Sequence, residues 1–212
     1  MENDILLIEN WGQPGEIGNI NNTIQIDENV GGAKGTYISG IFMQAEVVNG
    51  NRRRYPKNVL ESAVNEYVRT QVEKGQALGE LNHPTRSTPD PREAAIIIEK
   101  LWFEGNNVMG RARVLETPNG KIVKSLIEGG WIPGVSSRGL GRVKDVNGIN
   151  EVQEGFKLTV GVDVVWGPSA PSAFVKSYIV ESNEPLIEKT VGINKINNSE
   201  IVNLTRKLRN LL

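Results

Sequence analysis

The sequence predicts an α+β protein built on a mainly antiparallel β core, which we expect to close into a small barrel with flanking helices. Three observations lead there. Strand-like runs outnumber helical ones, and the clearest, FKLTVGVDVVW, alternates apolar residues from Phe156 through Leu158, Val160, Val162 and Val164 to Trp166. Helical periodicity is confined to two segments and the C-terminal tail. Turn signals built on Asn and Gly separate the strands.

Residues 1–35 are rich in Asn, Gly and Glu and predict loops with one short strand. TYISGIFMQAEVV, beginning at Thr36 and ending at Val48, has the aromatic and β-branched content of a strand, and Asn49-Gly50 ends it. An amphipathic helix follows. Pro56 suits its first turn, Leu60, Val64, Val68 and Val72 recur every four residues, and Gly75 stops it. The basic run Arg52-Arg53-Arg54 ahead of it reads as a solvated loop. AAIIIEKLWFE and VMGRARVLE flank Gly105-Asn106-Asn107 as a hairpin.

A short helix fits NGKIVKSLIEGG, with Ile122, Leu126 and Ile127 on one face and Gly129 as its stop. WIPGVSSRGLGRVKDV is then extended and broken by glycines, and Asn147-Gly148 turns it back. In FKLTVGVDVVW the alternation buries one face. We place the main domain at residues 1–180. Residues 181–212 form a polar linker and an amphipathic helix opened by Ser199, with Ile201, Leu204, Leu208 and Leu211 on one side. That helix either docks on its own domain or binds a partner.

Composition narrows the function. Lys plus Arg number 24 against 25 for Asp plus Glu, a net charge of −1 that argues against a protein made chiefly to grip nucleic acid. There is no cysteine, so disulfides, thiol nucleophiles and cysteine–zinc sites are excluded. One histidine and no EF-hand spacing leave no case for a metal. No stretch has the length of a membrane span and no signal-peptide pattern is seen, so a soluble intracellular protein is expected.

Two short stretches carry the chemistry. GVSSRGLG at 134–141 offers two serines, an arginine and glycines. If Val135 and Val143 face the core, alternation turns Ser136, Arg138 and Arg142 toward solvent, so Ser136 is the serine able to meet a substrate. The competing reading is a small-residue strand packed against a neighbour. GELNHPTR at 79–86 holds His83, the single histidine of 212 residues. A serine hydroxyl needs a base, imidazole suits that work near neutral pH, and any such pair here must use His83. Its competing reading is an ordinary surface residue. Pro84, Pro89 and Pro91 stiffen the loop around it. For the third member, which orients the imidazole, Asp163 is the candidate because it interrupts a strand where aspartate is disfavoured. Glu80 and Asp90 remain alternatives.

Together these strings resemble the prohead core proteases of tailed bacteriophages, serine proteases that share a fold with the herpesvirus assembly proteases. The likeness rests on LGELNHP, WIPGVSSRGLG and EGFKLTVGVDVVWGPSAP, supported by WGQPGE, GIFMQAEVVN and AAIIIEKLW…GRARV, and runs from about residue 5 to 175. It implies a β-barrel core with helices around it, His83 as general base and Ser136 as nucleophile, with Asp163 the candidate third member. It implies an enzyme without cofactor that works inside the assembling prohead in the host cytoplasm. There it degrades scaffold proteins and trims capsid proteins, with no nucleic-acid or membrane partner; the oligomeric state, homo-oligomer included, stays open. It further implies cleavage after glutamate in (Leu/Ile)-x-Glu sites. Ile179-Val180-Glu181 and Leu186-Ile187-Glu188 fit, making Glu181 and Glu188 candidate self-cleavage points. Leu126-Ile127-Glu128 also matches but falls in a predicted helix. For the glutamate pocket, Arg138 and Arg86 are the nearest cations in sequence, and Arg138 is the candidate substrate-binding residue; it could equally position an oxyanion-stabilising water. The alternative of another class is a non-catalytic assembly protein on the same fold, and a further one is a small esterase.

Overall fold

The computed structural model describes residues 4–8, 35–166 and 176–180. The expected tail, including Glu181, Glu188 and the helix from Ser199, lies outside the described residues. Eleven strands and two helices form within the described part, in the order β1 (Ile5–Ile8), β2 (Gly35–Gln44), β3 (Arg53–Arg54), α1 (Lys57–Tyr67), β4 (Leu78–Glu80), β5 (Ala94–Glu104), β6 (Asn107–Val114), α2 (Pro118–Glu128), β7 (Gly134–Gly141), β8 (Val143–Val146), β9 (Ile149–Val152), β10 (Lys157–Val165) and β11 (Lys176–Val180). The α+β class is as the sequence predicts. The barrel is not: the strands form three sheets, β1-β7-β10, β11-β2-β6-β5-β4 and β3-β9-β8. Apart from β3 with β9, every strand pair is antiparallel.

The predicted hairpins stand where the turn residues put them. Gly105, with φ of 62°, turns β5 into β6. Asn147 and Gly148 both take positive φ between β8 and β9, which matches the twist of the flanking strands. Strand β2 ends at Gln44, short of Val48, and Glu46 just beyond it has φ of 63°. Arg53 and Arg54, read as loop, form a short strand instead, and Arg54 pairs with Glu151.

Helix α1 buries Val59, Leu60, Ala63, Val64 and Tyr67 against β10 and β5; of the predicted stripe Leu60 and Val64 are buried, whereas Val68 and Val72 are only partly so. A π-turn, Val68–Val72, prolongs it, and Gly75 at φ of 65° follows. Helix α2 starts where Thr117 Oγ1 accepts from the Gly120 N–H, with Pro118 at its first position. Its buried face corrects the sequence reading. Gly120 and Val123 are buried, whereas Ile122 and Leu126 are 49% and 44% exposed. The cause is close approach: a Cβ at Gly120 would lie 1.9 Å from the Leu115 carbonyl oxygen.

Strand β10 also departs from expectation. Both its faces are buried from Val160 to Val165, while Trp166, placed inward by the alternation, is 76% exposed just past the strand end. On one side β7 pairs with it; on the other, Leu81 bridges to Val164 and the Asn82 N–H donates to the Val164 carbonyl at 2.8 Å. The segment after β4 is thereby held against β10. Gly79 permits this contact, because a Cβ there would stand 2.1 Å from the Val162 carbonyl oxygen and 2.8 Å from Ile96 Cγ1. Gly79→Ala should therefore destabilise the fold by about 1–3 kcal/mol through overpacking. Denaturant unfolding checks this, and an unchanged midpoint refutes it.

Candidate active site

Strand β7 is the central strand of its sheet, with β1 on one edge and β10 on the other. In the β7–β10 register Ser136 stands opposite Asp163, so their side chains share one face of the sheet. Arg138, two residues on along β7, emerges on that face too. The sequence reading that groups Ser136, Arg138 and Asp163 is right about parity and wrong about surroundings. All three are buried, Arg138 and Asp163 completely.

His83 arrives from the loop that follows β4. Its Nδ1 lies 2.8 Å from Asp163 Oδ2. A carboxylate only accepts, so this nitrogen carries the hydrogen and donates it. The other ring nitrogen, Nε2, is buried and has no hydrogen-bond partner among the described residues. Asn82, at φ of 71°, turns the chain here and accepts from the His83 N–H through Oδ1 at 2.9 Å. The loop is anchored by more than its prolines: Arg138 Nη1 donates to the carbonyls of Arg86 at 2.8 Å and Thr88 at 3.4 Å.

Asp163 is the hub. Beyond the imidazole it accepts from the Glu80 N–H at 2.8 Å, from Arg138 Nε at 2.6 Å and from Arg138 Nη2 at 3.0 Å. Burying a carboxylate is costly unless it is paired and hydrogen-bonded, and here four donors satisfy it. The alternatives for the third role are committed elsewhere. Glu80 Oε1 accepts from Arg86 Nη2 and from the Asp90 N–H, each at 2.5 Å, and Glu80 Oε2 lies 3.3 Å from Arg138 Nη2. Asp90 is bound by Arg92, whose hydrogen bonds hold its carboxyl at about 2.

Arg138 is not where a substrate-binding cation must be. Its guanidinium is 0% exposed and fully engaged with Asp163, Glu80 and two loop carbonyls, which corrects its expected role as receptor for a substrate glutamate. The buried Arg138–Asp163–Glu80 cluster is what sequence reasoning missed. Its signal is present: one isolated charge in each of three otherwise small or apolar strands, GVSSRGLG, LTVGVDVV and ALGE. Among the described residues no group of three or more carboxylate or imidazole side chains is arranged to hold a metal ion, and no helix is long and apolar enough to cross a membrane.

Tyr67 of α1 lies beneath the cluster; a Cβ at Gly161 would come within 2.8 Å of its ring. Burial, aided by the negative charge of Asp163, pushes its hydroxyl up to about 12. The unfolded chain ionises this group near its ordinary 10.0 while the native chain still holds the proton. Tyr67 thus stabilises the fold below about pH 10, and that contribution, about 2–3 kcal/mol, is lost as pH rises to about 12. Unfolding midpoints measured across that range should fall, and Tyr67→Phe should flatten the decline; equal slopes refute the assignment.

The site can be compared with known proteins. A family model described as prohead core protein serine protease matches residues 6–184. The prohead core protein protease of Enterobacteria phage T4 is 60% identical over 177 residues, spanning 80% of this chain and 82% of that protein. The solved structure of the bacteriophage T4 capsid assembly protease aligns with a TM-score of 0.67 at 55% identity, covering 78% of this chain and 100% of that one. The resemblance read from the motifs around His83, Ser136 and Asp163 thus holds over most of the sequence, and the chain belongs to the prohead core protein serine protease family.

Proposed function

We propose that the chain is a cofactor-independent serine endopeptidase of capsid maturation, with His83 as general base, Ser136 as nucleophile and Asp163 as the carboxylate that orients the imidazole. One observation carries this reading. A single buried carboxylate is both the cross-strand neighbour of Ser136 and the hydrogen-bond acceptor of His83. With its hydrogen held on Nδ1, the imidazole presents Nε2 as a base. In the reaction Nε2 takes the Ser136 proton as Oγ attacks the scissile carbonyl carbon. It then returns that proton to the leaving amine as the C–N bond breaks. Water, deprotonated by the same nitrogen, hydrolyses the acyl-enzyme and frees Ser136.

The substrates in this reading are the internal scaffold and core proteins and the capsid proteins of the assembling prohead, within the host cytoplasm. Kinship of fold with the herpesvirus assembly proteases belongs to the same reading and rests on family resemblance. Cleavage is after glutamate in (Leu/Ile)-x-Glu sites, including sites in the chain's own tail. The two tail triplets are not equivalent. Ile179 and Val180 pair with Thr36 and Gly35 at the edge of the five-stranded sheet, so cutting after Glu181 requires β11 to peel away. Leu186-Ile187-Glu188 lies beyond the last described residue.

Incubation of the full chain followed by intact-mass analysis should show the product ending at Glu188 before the one ending at Glu181. A serine-reactive phosphonate should label Ser136, and a peptide ending in Leu-x-Glu should be released from a longer one. A chain that takes the label yet cuts only simple esters is an esterase. A chain that neither takes the label nor cuts is the non-catalytic assembly protein, and the proposal fails.

A further inference from the structure

We propose that Arg138 is the positioning residue of this site, holding Asp163, and through it His83, in the geometry that general-base chemistry requires. The inference rests on the proposed roles of His83 and Ser136. Arg138 is the largest fully buried side chain among the described residues. It grips both oxygens of Asp163 in a fork, at 2.6 and 3.0 Å, leaving Oδ2 also placed for the imidazole at 2.8 Å. The same side chain reaches Glu80 at 3.3 Å and the Arg86 carbonyl at 2.8 Å, so one group fixes the carboxylate and the loop that bears His83. A planar fork sets the rotation of a carboxylate as well as its place; an ammonium sets only distance.

Charge closes the case. The groups facing the imidazole and its carboxylate are Asp163 from β10, Arg138 from β7, Glu80 from β4, Arg86 and Asp90 from the loop, and Tyr67 from α1. Asp90 is balanced by Arg92, and Tyr67 keeps its proton. Two carboxylates and two guanidiniums remain, and their charges cancel without the histidine. Arg86 is 40% exposed and bonded to Glu80, whereas Arg138 is the guanidinium bonded to Asp163. A lysine at 138 would preserve this balance and lose the fork. That makes Arg138→Lys the informative substitution, since it separates geometry from charge.

The chain's single histidine makes the test clean, because every imidazole resonance belongs to His83. Nitrogen-15 NMR of the full chain carrying Ser136→Ala should show one Nδ1–H tautomer with a slowly exchanging proton. A mixture of tautomers overturns the proposal before any change at position 138. Arg138→Lys, added to that chain, should shift both ring nitrogens. In the otherwise unaltered chain it should lower kcat on a Glu-ending peptide by about a hundredfold, with KM within about threefold. Arg138→Met with Glu80→Gln removes one charge of each sign but leaves the buried Asp163 carboxylate without its fork, so its unfolding midpoint should fall and its kcat stay low. Unmoved resonances overturn the idea, as does recovery of kcat in the double variant. A change confined to KM overturns it too, by returning Arg138 to the substrate. If His83→Ala keeps its activity, the proposed function itself fails, and that result is independent of every measurement on Arg138.

Discussion

Replacing Ser136 with alanine should leave scaffold and capsid substrates uncut and the chain's own tail attached, with peptide hydrolysis down by about six orders of magnitude. The size of the effect follows from register. Ser136 is the β7 residue opposite Asp163, and no other hydroxyl on that strand shares its face, because Ser137 points to the other side of the sheet. Both serines are buried, so exposure does not distinguish them; parity does. Ser137→Ala is therefore the matched control and should retain activity within a few fold. The measurement is a progress curve on a Glu-ending peptide, together with the intact mass of each variant. Equal losses in the two variants would mean that strand packing, not a nucleophile, had been disturbed.

Asp163→Asn should be milder than Ser136→Ala for catalysis and worse for the fold. An amide can donate toward the imidazole, which allows the ring to keep its hydrogen on Nε2 and removes the base; mis-set tautomers of this kind cost roughly 10³–10⁴-fold in kcat. The substitution also leaves Arg138 fully buried beside one carboxylate instead of two. Breaking a buried ion pair from one side costs about 3–5 kcal/mol. We therefore expect a kcat loss of about 10³–10⁴-fold and an early denaturant midpoint. A variant that unfolds early but turns over normally when folded would restrict Asp163 to stability.

Much of this arrangement is legible in the sequence, and the failures share a cause. The hairpins at Gly105 and Asn147-Gly148 and the burial of Leu60 and Val64 on α1 follow from local rules, which is why they are readable. Strand β10 is legible, but hydropathy treats Gly161 and Asp163 as outward residues. In the fold a glycine can be buried because Tyr67 and Ile98 fill the space over it, and an aspartate because donors from three segments surround it. Helix α2 repeats the lesson: it docks by Gly120, while the apolar Ile122 and Leu126 stay in water. Pattern reading measures greasiness, whereas close approach and charge pairing depend on partners distant in the chain. Strand parity places Arg138 beside Ser136, yet nothing local tells that its far end meets Glu80 and the carbonyls of Arg86 and Thr88.

Strand β7 owes both its neighbours to remote parts of the chain, with Ile8 opposite Arg138 on one edge and Asp163 opposite Ser136 on the other. Pairings that close such long loops form late in folding. On the proposed chemistry, a nascent or truncated chain lacking β10 possesses an alcohol and an imidazole but no means of introducing one to the other. Hydrolytic competence is then withheld until the sheet is complete, a delay written into the order of the strands.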